Sequence, residues 1–308
     1  MRGKDRMLFD THAHVLSADV GRYPYSTLRG GAKAPVSPVV FAVEDLVRAM
    51  DAGGVAHACI VQRATIYGYD NSYALDASDA YPSRFVPIVV LDAQDPASPG
   101  ALKALAAGHR LGGLRIVAPE LTEKDTAWLD STEALGLWRT ACDLGLPVTV
   151  ILYRRNNEAG LAALLGVARQ FRDIPILIDH VGVPHASTPE TRFAAAQGVT
   201  YVVPPPPGFG IAESLAPFGD LAHVHFKVTD INFDRLEDHR FDSAAFVRAL
   251  ADRFGSERLL WGSDVGQSPA PYTEKLERLH TCARLLSGQE RAAFFGGTAH
   301  RLYGKALR

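Results

Sequence analysis

The feature that most constrains this chain is a rhythm repeated along nearly its whole length. Short, almost uninterrupted apolar runs alternate with stretches of helical periodicity. The runs are Met7-Leu8-Phe9 leading into Asp10-Thr11-His12-Ala13-His14, then His57–Gln62, Arg84–Leu91, Gly113–Val117, Pro147–Tyr153, Pro175–His180, His223–Val228 and Arg258–Gly262. Apolar runs of this length read as strands buried on both faces, and such strands belong to parallel sheets covered by helices. The helical stretches carry their own punctuation. Val43–Met50 stops at Gly53-Gly54, and Asn71–Ala80 and Ala101–Ala107 follow. Asp130-Ser131-Thr132-Glu133 has capping-box spacing and Gly145 closes that helix. Glu158–Phe171 and Asp242–Phe254 come next, the latter ended by Gly255, and Ser287-Gly288-Gln289-Glu290 is a second capping box opening the last helix.

Eight strand–helix units predict a closed (β/α)8 barrel, a TIM barrel, over residues 1–308 as one domain. The competing fold is an open doubly wound sheet. No glycine-rich phosphate loop follows an early strand, and Gly208-Phe209-Gly210 lacks the surrounding pattern. Thr200–Val203 runs into Pro204–Pro207, which cannot stay in a ladder, so His223–Val228 is the better seventh strand.

The chain of 308 residues, 47% hydrophobic, is ample for the core of such a barrel. Its net charge of −2 advertises no nucleic-acid surface. Cys59, Cys142 and Cys282 are odd in number and far apart, which fits neither a disulfide framework nor a cysteine zinc motif and suits a reducing cytoplasm. The polar opening Met1–Arg6 reads as no signal peptide, and no apolar run approaches the ~20 residues needed to cross a membrane.

In a barrel the chemistry gathers at the carboxyl ends of the strands. Those ends offer His12 and His14, Gln62, Asp92, Arg115, Tyr153, His180, Lys227 and Asp264. By strand alternation Asp10, His12 and His14 point one way, and two imidazoles side by side can hold a divalent ion or polarise a substrate oxygen. The same alternation turns Asp179 away from His180 and assigns it a structural role. Three histidines and Asp264 match a site for a divalent ion with a position open for water. Arg115 is the one arginine placed at a strand end, which favours a carboxylate-bearing substrate.

The set Asp10-Thr-His12-Ala-His14, Ile60-Val-Gln62 with Gly68-Tyr-Asp70-Asn71, Gly113-Leu-Arg115, Ile178-Asp-His180-Val-Gly182, Trp261-Gly-Ser-Asp264 and Thr298–Tyr303 resembles the amidohydrolase-related family. The resemblance is strongest to its branch of 2-pyrone-4,6-dicarboxylate lactonases and sugar-lactone hydrolases. It implies a lactone hydrolase with Asp264 as general base on water. His12, His14, His180 and Asp264 would be metal ligands or, for the histidines, direct polarisers of the carbonyl. Arg115, Tyr153, Lys227 and Gln62 are the candidate substrate contacts, with Lys227 alternatively a partner of Asp264. One divalent ion, zinc first, is the expected cofactor, and metal-free operation is the alternative. Ala118–Glu123 lacks the second basic residue of the pyrone lactonases, and Val265-Gly266-Gln267 replaces their usual Trp-Pro after the aspartate, which points away from pyrone dicarboxylate itself. The rivals are a metal-dependent decarboxylase on the same barrel and a binding protein without turnover. The expected partner is a small molecule, with no nucleic acid or membrane and with a homo-oligomer left open.

Overall fold

The computed structural model describes residues 8–26, 28, 39–118, 125–152, 157–182, 204–211, 215–268 and 270–307. Its eight strands are β1 (Leu8–Ala13), β2 (Val55–Val61), β3 (Phe85–Val90), β4 (Gly113–Val117), β5 (Val148–Ile151), β6 (Ile176–Ile178), β7 (Val224–Thr229) and β8 (Leu259–Gly262). They form one sheet in sequence order, every neighbouring pair parallel. Pro147 and Pro175 stand just outside β5 and β6, because a residue without an N–H cannot donate to the ladder. β6 ends early because His180, Val181 and Gly182 all adopt left-handed backbone, with φ of 53°, 54° and 69°.

The sheet curls until β1 meets β8. The Asp264 N–H donates to the His12 carbonyl at 2.7 Å and the His14 N–H to the Val265 carbonyl at 2.9 Å. Thr11 Oγ1 donates to the Trp261 carbonyl at 2.7 Å. At Gly262 a Cβ would lie 2.5 Å from that of His12, so only glycine lets the two strands come this close.

The helices are α1 (Val43–Gly53), α2 (Ala64–Tyr67), α3 (Ser72–Ala80), α4 (Ser98–Gly108), α5 (Ala127–Asp130), α6 (Thr132–Asp143), α7 (Asn157–Gln170), α8 (Asp230–Asp238), α9 (Ser243–Phe254), α10 (Tyr272–Cys282), α11 (Gly288–Ala292) and α12 (Thr298–Tyr303). Of these, α2, α5, α8 and α10 have no counterpart in the sequence reading. The cap of α6 is Ser131 rather than Asp130, its hydroxyl accepting from the Ala134 N–H. The last helix is broken by a π-type turn, Ala293–Gly297. Helices pack apolar faces on the outside of the sheet, while Phe9, Cys59, Val61, Val86, Ile88, Leu177 and Leu260 fill the barrel interior over Ala299 and Tyr303 of α12. This packed floor leaves the opposite, carboxyl-terminal end for the polar groups. Among the described residues no helix is long and apolar enough to cross a membrane.

Candidate active site

β1 delivers His12 and His14 but not Asp10. The register of β1 against β2 slips between Asp10↔Ala58 and Ala13↔Ile60, three steps on one strand against two on the other. Such a bulge breaks simple alternation. Asp10 therefore parts from the histidines. Its fully buried carboxylate accepts from the His12 N–H at 3.0 Å, the Ser263 N–H at 2.9 Å, Ser263 Oγ at 2.5 Å and the Tyr272 hydroxyl of α10 at 3.1 Å. It fastens β1 to β8 instead of facing the mouth.

The three predicted histidines and Asp264 do come together. The His12 ring lies 4.9 Å, centroid to centroid, from both the His14 and the His180 ring. Asp264 Oδ1 is 3.5 Å from His12 Nε2 and from His14 Nε2. Burial holds all three imidazoles below their ordinary value, His180 at about 4, so they are neutral at neutral pH. Burial alone would raise the Asp264 carboxyl, but contact with His14 and the proximity of His12 and His180 bring it down to about 2. Asp264 sits in left-handed backbone, φ 53°, a turn closed by the Ser268 N–H and Ser268 Oγ, each donating to its carbonyl at 3.0 Å.

Two of the imidazoles are hydrogen-bonded through Nδ1, and the third faces a carboxylate there. His14 Nδ1 donates to the Val61 carbonyl at 2.7 Å, His180 Nδ1 is 2.6 Å from Thr229 Oγ1, and His12 Nδ1 is 3.3 Å from Asp179 Oδ1. A neutral ring with a proton on Nδ1 presents a lone pair at Nε2 and cannot donate from it. Meanwhile both ring nitrogens of His12, Asp179 Oδ1 and both Asp264 carboxylate oxygens are buried without a hydrogen bond. An ionised carboxylate in that state is costly unless a cation neutralises it. Two overlapping groups, His12–His14–Asp264 and His12–Asp179–His180, have ligand atoms close enough to share an ion. The residues present therefore fit a divalent metal, and the hydrogen-bonded Nδ1 atoms of His14 and His180, with Asp179 facing that of His12, are the outer-shell support such a site needs.

Asp179, assigned away from the site by alternation, belongs to it. The left-handed turn at His180 resets which way successive side chains face, so Asp179 and His180 both reach His12. Asp179 also receives Arg115 Nε at 2.8 Å and faces Lys227 Nζ at 3.4 Å. Burial would raise its carboxyl, but Lys227 and Arg115 hold it well below the usual range. Lys227 is thus the partner of Asp179 and not of Asp264, and it is fully buried inside the barrel. Gln62 turns to its own loop, its amide donating to the Gly68 carbonyl at 3.0 Å and the Asp70 carbonyl at 2.6 Å. Tyr153 lies outside the described residues. Asn232 ties the site together from behind, accepting from the Thr229 N–H at 3.0 Å and donating to the His180 carbonyl at 2.9 Å.

A second arginine also reaches the mouth. Arg63 follows β2, and its guanidinium crosses to donate to the Gly266 carbonyl at 2.6 Å, two residues beyond Asp264. Its position directly after Gln62 at a strand end was the available signal.

Three comparisons bear on this geometry. The sequence profile described as amidohydrolase matches residues 9–305. The L-fucono-1,5-lactonase of Burkholderia ambifaria is 25% identical over 312 residues, covering 96% of this chain and 94% of its own. The 4-sulfomuconolactone hydrolase of Hydrogenophaga intermedia is 30% identical over 261 residues, 83% of this chain and 73% of its own. Among solved structures, an amidohydrolase of Burkholderia multivorans with bound zinc superposes with a TM-score of 0.70 at 22% identity, over 98% of this chain and 100% of the other.

Proposed function

The chain belongs to the amidohydrolase family, and from that premise we propose that it opens a small, carboxylate-bearing lactone, with Asp264 as the base on water and zinc as the resident ion. The observation that carries this reading is a buried carboxylate without hydrogen bonds facing imidazoles whose Nε2 lone pairs are free. His12, His14, His180 and Asp264 would hold the ion. When bound, it supplies Lewis acidity that polarises a carbonyl and acidifies water.

The protein's own groups perform the proton chemistry. Asp264 takes a proton as water adds to the ring carbonyl carbon. As the ring C–O bond breaks, the leaving oxygen takes that proton back, so water and lactone become a hydroxy acid and the carboxylate is restored. Asp179 fixes the His12 ring, and Arg115 and Lys227 keep Asp179 ionised, so both cations act by positioning. Thr229 and Asn232 do the same for His180.

The test is acid release from a panel of lactones, measured beside carbon dioxide release, on chelator-treated protein before and after reloading with zinc. Acid without carbon dioxide, restored by zinc, is expected. Carbon dioxide from an aromatic acid, with every lactone left closed, would overturn the reading.

A further inference from the structure

Among the described residues, Arg115 and Lys227 are both turned to Asp179 and so are not free to meet a substrate's charge. Arg63 fills that place. Its guanidinium lies across the end of β1, anchored by one nitrogen on the Gly266 carbonyl. Gly266 is itself pressed against His14, since a Cβ there would lie 2.3 Å from the His14 carbonyl oxygen. The arginine thus bridges from the end of β2 to the loop after β8, beside both His14 and Asp264. Its Nε is buried and has no hydrogen-bond partner. The rest of this part-buried guanidinium is uncommitted beyond its bond to Gly266, and an anion beside it would be held by charge-assisted hydrogen bonds. The surroundings suit a small ring. The neighbouring α2 contributes Tyr67, which packs with Tyr23 and Leu16 of the segment after β1, and Tyr25 meets Tyr67 edge-on with centroids 5.9 Å apart. That Arg63 feels Asp264 and its own burial is consistent with this placement: burial lowers its proton affinity and Asp264 opposes the fall.

We propose that Arg63 is the specificity-determining residue that selects a lactone carrying a carboxylate or sulfonate on its ring over a neutral sugar lactone. The proposal rests on the lactonase reading above. The anionic group sits on the unpaired face of the guanidinium, and the ring carbonyl is thereby set beside Asp264. A planar guanidinium matches a carboxylate or sulfonate through paired donors, whereas a sugar hydroxyl uses one donor at most.

The experiment uses one γ-lactone in two forms, the ring carboxylate and its carboxamide, with kcat/KM measured for each on the zinc-loaded enzyme. Wild type should prefer the acid. In Arg63→Gln the acid-to-amide ratio should fall by about 10- to 100-fold, the usual worth of a charge-assisted hydrogen bond, and Arg63→Lys should recover part of it. A ratio unchanged in Arg63→Gln, whether or not both rates fall, would overturn the proposal, because a merely structural role moves both substrates together. If wild type opens neither lactone, the lactonase reading fails on its own. Calorimetric binding of the ring-opened hydroxy diacid then decides the anion site: weaker binding in Arg63→Gln supports it and equal binding overturns it.

Discussion

Asp264 joins three properties in one side chain. It is fully buried, it has no hydrogen-bond donor on either oxygen, and its backbone is left-handed. The third property makes asparagine the informative replacement, since asparagine tolerates that backbone better than other non-glycine residues. Asp264→Asn should lower lactone turnover by about 10²–10⁴-fold, the usual cost of losing a general base. In chelator-treated protein its melting temperature should change little or fall slightly, because a carboxyl held down to about 2 is a charge the fold favours. Melting and turnover on the same preparation check this, and a folded variant with full turnover would remove Asp264 from the chemistry. Asp179 poses the complementary case. It reaches the reacting groups only through His12, so Asp179→Asn should leave KM nearly unchanged and lower both kcat and zinc affinity, the latter by about 10- to 100-fold as for other outer-shell groups. Competition with a chromophoric chelator measures that affinity without any substrate.

At the scale of elements, the seam between β1 and β8 is the most informative. Four donors converge on Asp10 there. Asp10→Asn sets an amide N–H2 against the Ser263 and Tyr272 donors and should cost about 1–3 kcal/mol, read from urea unfolding. The seam also shows what the sequence could and could not reveal. Strand existence and order were legible because both faces of each strand are covered, so an apolar run needs no further context. His12, His14, His180 and Asp264 were legible because charge at the end of an apolar run has few structural excuses. Asp10 and Asp179 were not, because a bulge in β1 and three left-handed residues after β6 each break the period on which the alternation argument depends. Helix α10 was hidden for another reason. Its apolar positions Tyr272, Leu276 and Leu279 do recur at helical spacing, but Lys275 is buried among them, neutralised by Asp230 at 2.7 Å and bonded to Ser268 at 2.6 Å. A lysine in a core face is legible only when its partner, 45 residues away, is known.

For the molecule as a whole, acid should be the weak side. His225 on β7, away from the mouth, is held at about 4 by burial, helped by Arg258 and Arg301, against an ordinary 6.5. A histidine depressed on folding binds its proton more readily in the unfolded chain, so its share of stability is present above about 6.5 and is lost as pH falls toward 4. Melting temperature should therefore decline over that window, and His225→Gln should flatten the decline, as thermal scans from pH 7 to 4 would show. The closure of the barrel carries a consequence for biosynthesis. Thr11 bonds to Trp261 and Asp10 to Ser263 across separations of 250 and 253 residues, and the proposed base, Asp264, is hung on the His12 carbonyl. A ribosome-bound chain that has emerged only as far as β7 lacks Asp264 and the strand that closes onto β1. Competence arrives in a single step with the last strand, so a chain cut short within β8 is inert rather than slow, and activity in a translation reaction reports only molecules whose two ends have met.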